Sequence, residues 1–354
     1  MGKGRPSIQD VAREAGTSPP SITRYLSPKT RHKVSPELRA RIELAIQKLG
    51  YKPMAFARLR RAIRKYNIGV LTSLSKDIIH SGYHMGIMAG VVDQIFRTGH
   101  ELKLFRLNEE KKFRKVEDLF GEYGVDGLII ITWRFNQNMI LLIEECSGDL
   151  PIVVMNDYER KLKVNILYTD AREGTKMAVS YLVGRGYKRI GYLARPKISV
   201  LKTDGKEIHY NSVDAKDKMR GFLDGLKANN LAVRKQWIKE CDTYKESDGY
   251  ARMKEWIKQG NLPRAICCGN DDIAIGAMKA LKEARKWSPE NVALVGFDDI
   301  EKGRVISPSL TTVRQPLYEM GQEAVSIVID KIEFGDDEPV QKRYVPEIVA
   351  RQTA

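Results

Sequence analysis

The chain has 354 residues, 42% of them hydrophobic and 30% charged, enough for two or three domains that each bury an apolar core. No apolar run is long enough to cross a bilayer, and the basic start MGKGRPSIQD has no apolar stretch behind it, so neither a membrane span nor a secretory signal is expected. Net charge is +15 and unevenly placed: residues 1–65 hold 16 Lys or Arg against 4 Asp or Glu, while the other 289 hold 44 against 41. A solvated basic tail would be poor in apolar residues. This segment spaces them regularly, which points to a folded head that binds a polyanion. Cys146, Cys241, Cys267 and Cys268 show no metal spacing, and the adjacent pair cannot readily bridge itself, so the expectation is a reducing, cytoplasmic compartment.

Ser7 stands as a potential N-cap before Ile8, Val11, Ala12 and Ala15 at helical spacing, and Gly16 ends that helix. Ser18 can cap a second short helix with Pro19 at its first position, where a missing N–H costs nothing; it continues through Pro20, Ser21, Ile22, Arg24 and Tyr25 to Leu26. Two short helices around a glycine-containing turn make a helix-turn-helix unit. A third helix, from Pro36 through Leu38, Ile42, Ala45, Ile46 and Leu49, offers the apolar face on which the first two pack. The following stretch YKPMAFARLRR is helix-compatible but too short to hold helix alone in water.

From Asn67 onward, short apolar runs alternate with amphipathic patterns. Strands are predicted at Asn67–Thr72, Glu101–Phe105, Asp126–Thr132, Pro151–Met155, Lys188–Ala194, Arg264–Cys268 and Asn291–Phe297. Helices are predicted at Tyr83–Thr98, Arg172–Arg185, Lys216–Ala228, Asp248–Gln259 and Ile273–Lys286. Such alternation argues for parallel, doubly wound α/β sheets, and nearly 290 residues suit two lobes better than one. The predicted division is an all-α head over 1–52, a hinge over 53–65, and a two-lobed α/β core over 66–354.

Ligands of open parallel sheets sit beyond the carboxyl ends of strands. AICCGNDDIAIGAMKAL places Asn270, Asp271 and Asp272 directly after one predicted strand, and VALVGFDDIEKGRVISPSLTTVRQP places Asp298 and Asp299 after another. Each aspartate pair also reads as a helix N-cap, and Asp271 or Asp272 is expected to cap. His80 and His84 are four apart, but no third metal ligand accompanies them, and pocket-edge histidines are the better reading. No nucleophile elbow, phosphate loop or dinucleotide fingerprint is present, so neither an enzyme nor a cofactor is expected.

SIQDVAREAGTSPPSITRYL, followed by VSPELRARIELAIQKLGYKPMAFAR, resembles the head of the lactose-repressor/galactose-repressor family. The two aspartate phrases resemble that family's core and the type I periplasmic binding proteins. The resemblance implies a homodimeric transcription repressor of carbohydrate-utilisation genes that binds a roughly palindromic operator and is controlled by a small sugar or sugar derivative. It implies that the second helix enters the major groove, giving Ser7, Ser18, Pro19, Pro20, Ser21, Arg24 and Tyr25 to the DNA face. A guanidinium at Arg24 suits guanine or phosphate. The family usually has larger polar side chains at position 19, position 20 or both; two prolines shift readout toward Arg24, Ser21 and DNA shape.

In the family the hinge folds when two copies meet on DNA and wedges a leucine into the minor groove. Met54 and Ala57 then belong to the DNA face. Arg60 occupies the position of the leucine and Leu59 lies one earlier, so the hinge either presents Leu59 or lays Arg60 in the groove. In the core, the resemblance assigns Asn270 and Asp298 to sugar hydroxyls. In YNSVDAKDKMRGFLDGL it places Lys218 where the family has an arginine, which exchanges a planar clamp for a point charge and keeps a purine or a partner protein open as the controlling signal. Tyr83, Trp133 and Tyr244 are candidates for stacking, and Leu317 for closing the pocket. The chain closes on VPEIVARQTA without a leucine heptad, so no tail-built tetramer is expected.

Overall fold

The computed structural model describes residues 8–26, 30–49, 65–72, 81–106, 124–131, 143, 150–156, 163–195, 198–203, 206–286, 291–335 and 338–354, with residues 106, 198–203 and 206–211 described in backbone only. The head comprises α1 (Ile8–Glu14), α2 (Pro19–Leu26), a 3-10 turn at Arg31–Lys33 and α3 (Pro36–Leu49). Val11, Ala12, Ala15, Ile22, Val34, Ile42 and Ala45 pack as its core. Ile22 and Ile42 are fully buried, each contributing about 2 kcal/mol. The α1–α2 turn depends on Gly16 at φ +60°, a conformation that side chains disfavour. One guanidinium nitrogen of Arg41 donates to the carbonyls of Ala15 and Gly16 at 2.6 and 2.9 Å, fastening that turn to α3.

The core follows as β1 (Asn67–Thr72), α4 (Gly82–Thr98), β2 (Glu101–Arg106), β3 (Gly127–Ile131), β4 (Ile152–Met155), β5 (Asn165–Thr169), α5 (Ala171–Gly184) and β6 (Ile190–Ala194). A hairpin of β7 (Ile198–Thr203) and β8 (Lys206–Asn211) leads to α6 (Val213–Ala228), β9 (Ile238–Glu240), α7 (Glu246–Gln259), β10 (Ala265–Cys268) and α8 (Asp271–Glu283). Then come β11 (Ala293–Asp298), α9 (Glu301–Val305), β12 (Thr311–Arg314), α10 (Leu317–Phe334), β13 (Gln341–Tyr344) and β14 (Glu347–Val349).

Two six-stranded sheets result. The first has the order β13-β5-β4-β3-β1-β2, every pair parallel. The second has the order β14-β12-β11-β10-β6-β9, parallel except where β14 meets β12. The strands GLIII and IVVM are buried at every position because apolar clusters cover both faces of their sheet. A second pair of clusters does the same for the other sheet. The core is therefore two doubly wound lobes. The chain passes between them at Asp170, at Gln315–Pro316 and at Val345–Pro346, so three strands of chain hinge the lobes.

Helix pairs on the lobes are locked by glycines at backbone contact. A Cβ on Gly90 of α4 would lie 1.9 Å from the Tyr318 carbonyl oxygen of α10, and one on Gly321 would lie 2.2 Å from that of Ile87. Gly249 and Gly276 make the same reciprocal contact between α7 and α8.

All seven predicted strands and five predicted helices occur, with ends shifted by up to three residues. Strands β5, β12, β13 and β14, the β7–β8 hairpin, β9 and helices α9 and α10 extend the predicted set. β13 and β14 read QKRY and EIV, polar edge strands whose pairing is fixed by the crossovers and carries no apolar signal.

Candidate functional site

Two candidate surfaces stand out, one on the head and one between the lobes. On the head, Ser18 precedes α2 and its carbonyl accepts the Ile22 N–H at 3.3 Å, with Pro19 first in the helix. Ser18, Pro19 and Pro20 are exposed, Ser21 and Arg24 half-buried, and the Ser18 and Ser21 hydroxyls lie 3.0 Å apart. The α2 face away from the core thus offers two hydroxyls, two rigid apolar rings and a guanidinium. Tyr25 lies on the opposite side: it is buried, donates its hydroxyl to Glu43 at 2.6 Å, accepts from Arg31 at 2.8 Å and carries the Arg31 guanidinium over its ring. Its visible role is to fasten α2 to α3. Ser7, Met54, Ala57, Leu59 and Arg60 lie outside the described residues.

Between the lobes, polar side chains converge from the carboxyl ends of five strands. β10 ends at Cys268 and α8 begins at Asp271, which leaves Asn270 to cap the helix: its side-chain oxygen accepts the Ile273 N–H at 2.9 Å and its amide donates to the Tyr244 carbonyl at 3.0 Å. The cap expected at Asp271 or Asp272 is therefore made by Asn270. Asp271 turns inward, where it accepts from the Thr312 hydroxyl at 2.5 Å and the Ile300 N–H at 2.8 Å and ties β12 and the segment between β11 and α9 to α8. Burial, reinforced by Asp298, pushes its carboxyl well above the usual range.

Asp298 ends β11 at φ +119° and Asp299 follows at +61°, two non-glycine residues held in costly conformations. Gln315, in a crossover, donates to Asp298 at 2.6 Å. Asp299 is clamped by Arg314 at 2.7 Å, Arg304 at 2.9 Å and Arg351 at 2.5 Å. The two fix the end of β11. Burial raises Asp298 to about 6, opposed by Lys218 and Arg195.

Lys218 on α6 is fully buried and nonetheless charged-partnered. It meets Asp214 at 3.1 Å, donates to the Gly269 carbonyl at 3.0 Å and lies 3.8 Å from the Phe297 ring centre. Arg195, directly after β6, also pairs with Asp214, and its guanidinium carbon lies 4.2 Å from the Tyr244 ring centre. Burial alone would raise Asp214; Lys218 and Arg195 overcome it and hold the carboxyl below its ordinary value. From the other lobe, Tyr83 accepts from Asn156 at 2.6 Å, and its hydroxyl is held neutral by burial, with Asp214 and Asp298 adding to the effect. His84 beside it is pushed down to about 3 by burial and by Arg195. The lobes touch at Gly82, where a Cβ would lie 2.7 Å from that of Ile300.

The structure thus brings Tyr83, Lys218, Tyr244, Asn270 and Asp298 to one cleft. Leu317 is buried at the start of α10 in the first lobe's core, with Gly86 against it. Trp133 and His80 lie outside the described residues. The sequence reading missed Asn156, Arg195, Asp214 and Gln315. Asn156 and Arg195 directly follow predicted strands, the same signal that picked out Asn270 and Asp298. Two carboxylates, two amides, a guanidinium and phenolic hydroxyls between the lobes can offer hydrogen bonds to a polar ligand.

The family model described as bacterial regulatory proteins, lacI family, matches residues 7–54, and that of a periplasmic binding protein-like domain matches residues 179–354. The transcriptional repressor PurR of Shigella dysenteriae is 29% identical over 349 residues, covering 98% of this chain and 96% of that protein. Among solved structures, the lac repressor dimer bound to operator and the anti-inducer ONPF superposes with a TM-score of 0.69 at 24% identity, covering 99% of both chains. The complex of the transcriptional regulator CelR with cellobiose has a TM-score of 0.69 at 21% identity, covering 99% of this chain and 100% of that one. The chain thus pairs a head that matches the lacI family of bacterial regulatory proteins with a two-lobed, periplasmic-binding-protein-like core, and over nearly its whole length it is similar to DNA-binding transcriptional repressors of that kind.

Proposed function

We propose that this regulator is a cytoplasmic, homodimeric repressor of carbohydrate-utilisation genes, and that a small sugar or sugar derivative between the lobes sets its affinity for a near-palindromic operator. The observation that carries the reading is the pairing of an exposed α2 face on a strongly basic head with a cleft where Asp298, Asn156, Asn270 and Arg195 converge. On DNA, α2 would lie in the major groove with Ser18, Pro19, Pro20, Ser21 and Arg24 toward bases and phosphates. Ser7 would sit beside them, and Met54, Ala57 and Leu59 or Arg60 would reach the minor groove. Tyr25 would support that face from behind.

In the cleft, Asp298 and Asn270 would receive sugar hydroxyls, with Tyr83, Trp133 and Tyr244 along the walls and Leu317 and Lys218 behind. Closure of the lobes would shift the one nearer the hinge and alter how two hinges meet. The cellobiose held by the structural neighbour CelR accords with a sugar as the effector. A genomic DNA selection with the purified full chain, with and without a sugar panel, tests the reading. Enrichment of a palindrome that shifts with one sugar is the expected result. Enrichment without any response would discard the sugar, and no enrichment at moderate salt would discard the head assignment.

A further inference from the structure

Arg195, Asp214, Tyr244 and Gly269 come from four separate places in the second lobe: the end of β6, the first turn of α6, the segment before α7 and the end of β10. They meet in one arrangement. The guanidinium lies over the Tyr244 ring at 4.2 Å with one terminal nitrogen on the Asp214 carboxylate, and its side chain is 13% exposed. Gly269 makes room for the stem, since a Cβ there would lie 2.6 Å from Arg195 Cγ. Lys218 takes the other flank of Asp214 at 3.1 Å, so one carboxylate serves two cations.

An aromatic face with a carboxylate beside it suits a guanidinium, which stacks on a ring and is more weakly hydrated than an ammonium; on the other flank Lys218 makes the corresponding contacts with Asp214 and the Phe297 ring. We propose that the interlobe cleft contains a guanidinium-binding site which Arg195 fills as the chain's own resident ligand, and that alkylguanidinium or amidinium cations are the class of molecule able to take its place. An effector approaching Asp298 and Asn156 leaves Arg195 where it is; one that uses the Tyr244 face has to displace it. The charge of Arg195 reaches His84 and Tyr83 on the opposing lobe, so the resident also sets the electrostatics of the cleft that a ligand meets. The proposal goes beyond the effector reading and does not depend on which sugar, if any, binds.

The test is thermal unfolding of the full chain and of Arg195→Ala with methylguanidinium chloride at tens of millimolar, against methylammonium chloride and sodium chloride at equal ionic strength. Arg195→Ala should melt lower than wild type by about 3 °C. Methylguanidinium should restore much of that in a saturable manner, without raising the wild-type midpoint, where an intramolecular group outcompetes it. Methylammonium should do no more than sodium chloride. An unchanged midpoint in Arg195→Ala, or a lowered one with no saturable rescue, overturns the proposal. Arg195→Lys keeps stem and charge and serves if the alanine variant does not fold: it should melt between the two without answering methylguanidinium, and a wild-type midpoint would overturn the need for a planar cation.

Discussion

Acidification should expose His84. The imidazole is 3% exposed at the start of α4, its Nδ1 is 3.0 Å from the Ser81 hydroxyl, and burial and then Arg195 push it from 6.5 to about 3. Folding therefore keeps it neutral while the unfolded chain takes up a proton below about pH 6.5. The sign follows: the unfolded state binds more protons, so this residue's contribution is intact above pH 6.5 and is lost progressively as pH falls toward 3. Between pH 7 and pH 5 the loss is about 2 kcal/mol, the cost of a group charged in one state and neutral in the other over one and a half pH units. Asp272 and Asp298, raised to about 6, act in the opposite sense, because their folded forms take up protons first and acidification from 6 toward 4 favours folding. The raw curve mixes these effects, so the useful quantity is the difference from His84→Gln, which keeps an amide for Ser81 and has no charge to gain. Urea unfolding at pH 7, 6 and 5 should show wild type losing about 2 kcal/mol relative to the variant. Parallel profiles would refute the buried neutral imidazole.

Gly90→Ala and Gly276→Ala drive a methyl into a facing carbonyl 1.9 Å away in both cases, so each should cost about 1–3 kcal/mol, read as a lowered midpoint of core unfolding. Arg24→Ala should weaken binding to a selected operator by about tenfold or more and relax preference at one base position, or lower binding uniformly with a shallower salt slope if the contact is to phosphate; unchanged affinity in a titration would remove Arg24 from the interface. Asp298→Asn should lower affinity for the effector about tenfold by calorimetry while leaving operator binding in its absence intact.

Much of the fold was legible because its signals are local. Strands such as GLIII and IVVM read as apolar runs since both sheet faces are covered, and Gly16, Ser18 and Pro19 marked the helix-turn-helix by the backbone geometry each permits. What escaped depends on partners distant in sequence. β13 and β14 are polar, and only the chain's returns between lobes give them neighbours. α10 differs from these, since its regular apolar stripe from Leu317 to Ile332 is itself a local helical signal. In the cleft, resemblance led to Lys218, Asn270 and Asp298, yet the commitment of Lys218 to Asp214 and Gly269, and of Asn270 to capping α8, arises only from packing. The Arg195–Asp214 pair spans 19 residues with a hairpin between, and no local spacing announces it.

The most direct test of the account is reciprocity between cleft and head. With the sugar that shifts DNA selection and a duplex carrying the selected palindrome, the duplex affinity is measured with and without saturating sugar, and the sugar affinity with and without saturating duplex. The account predicts that each ligand changes the other's affinity by the same factor, at least fivefold on the scale of about 1 kcal/mol or more. Two affinities that do not respond to each other would contradict it.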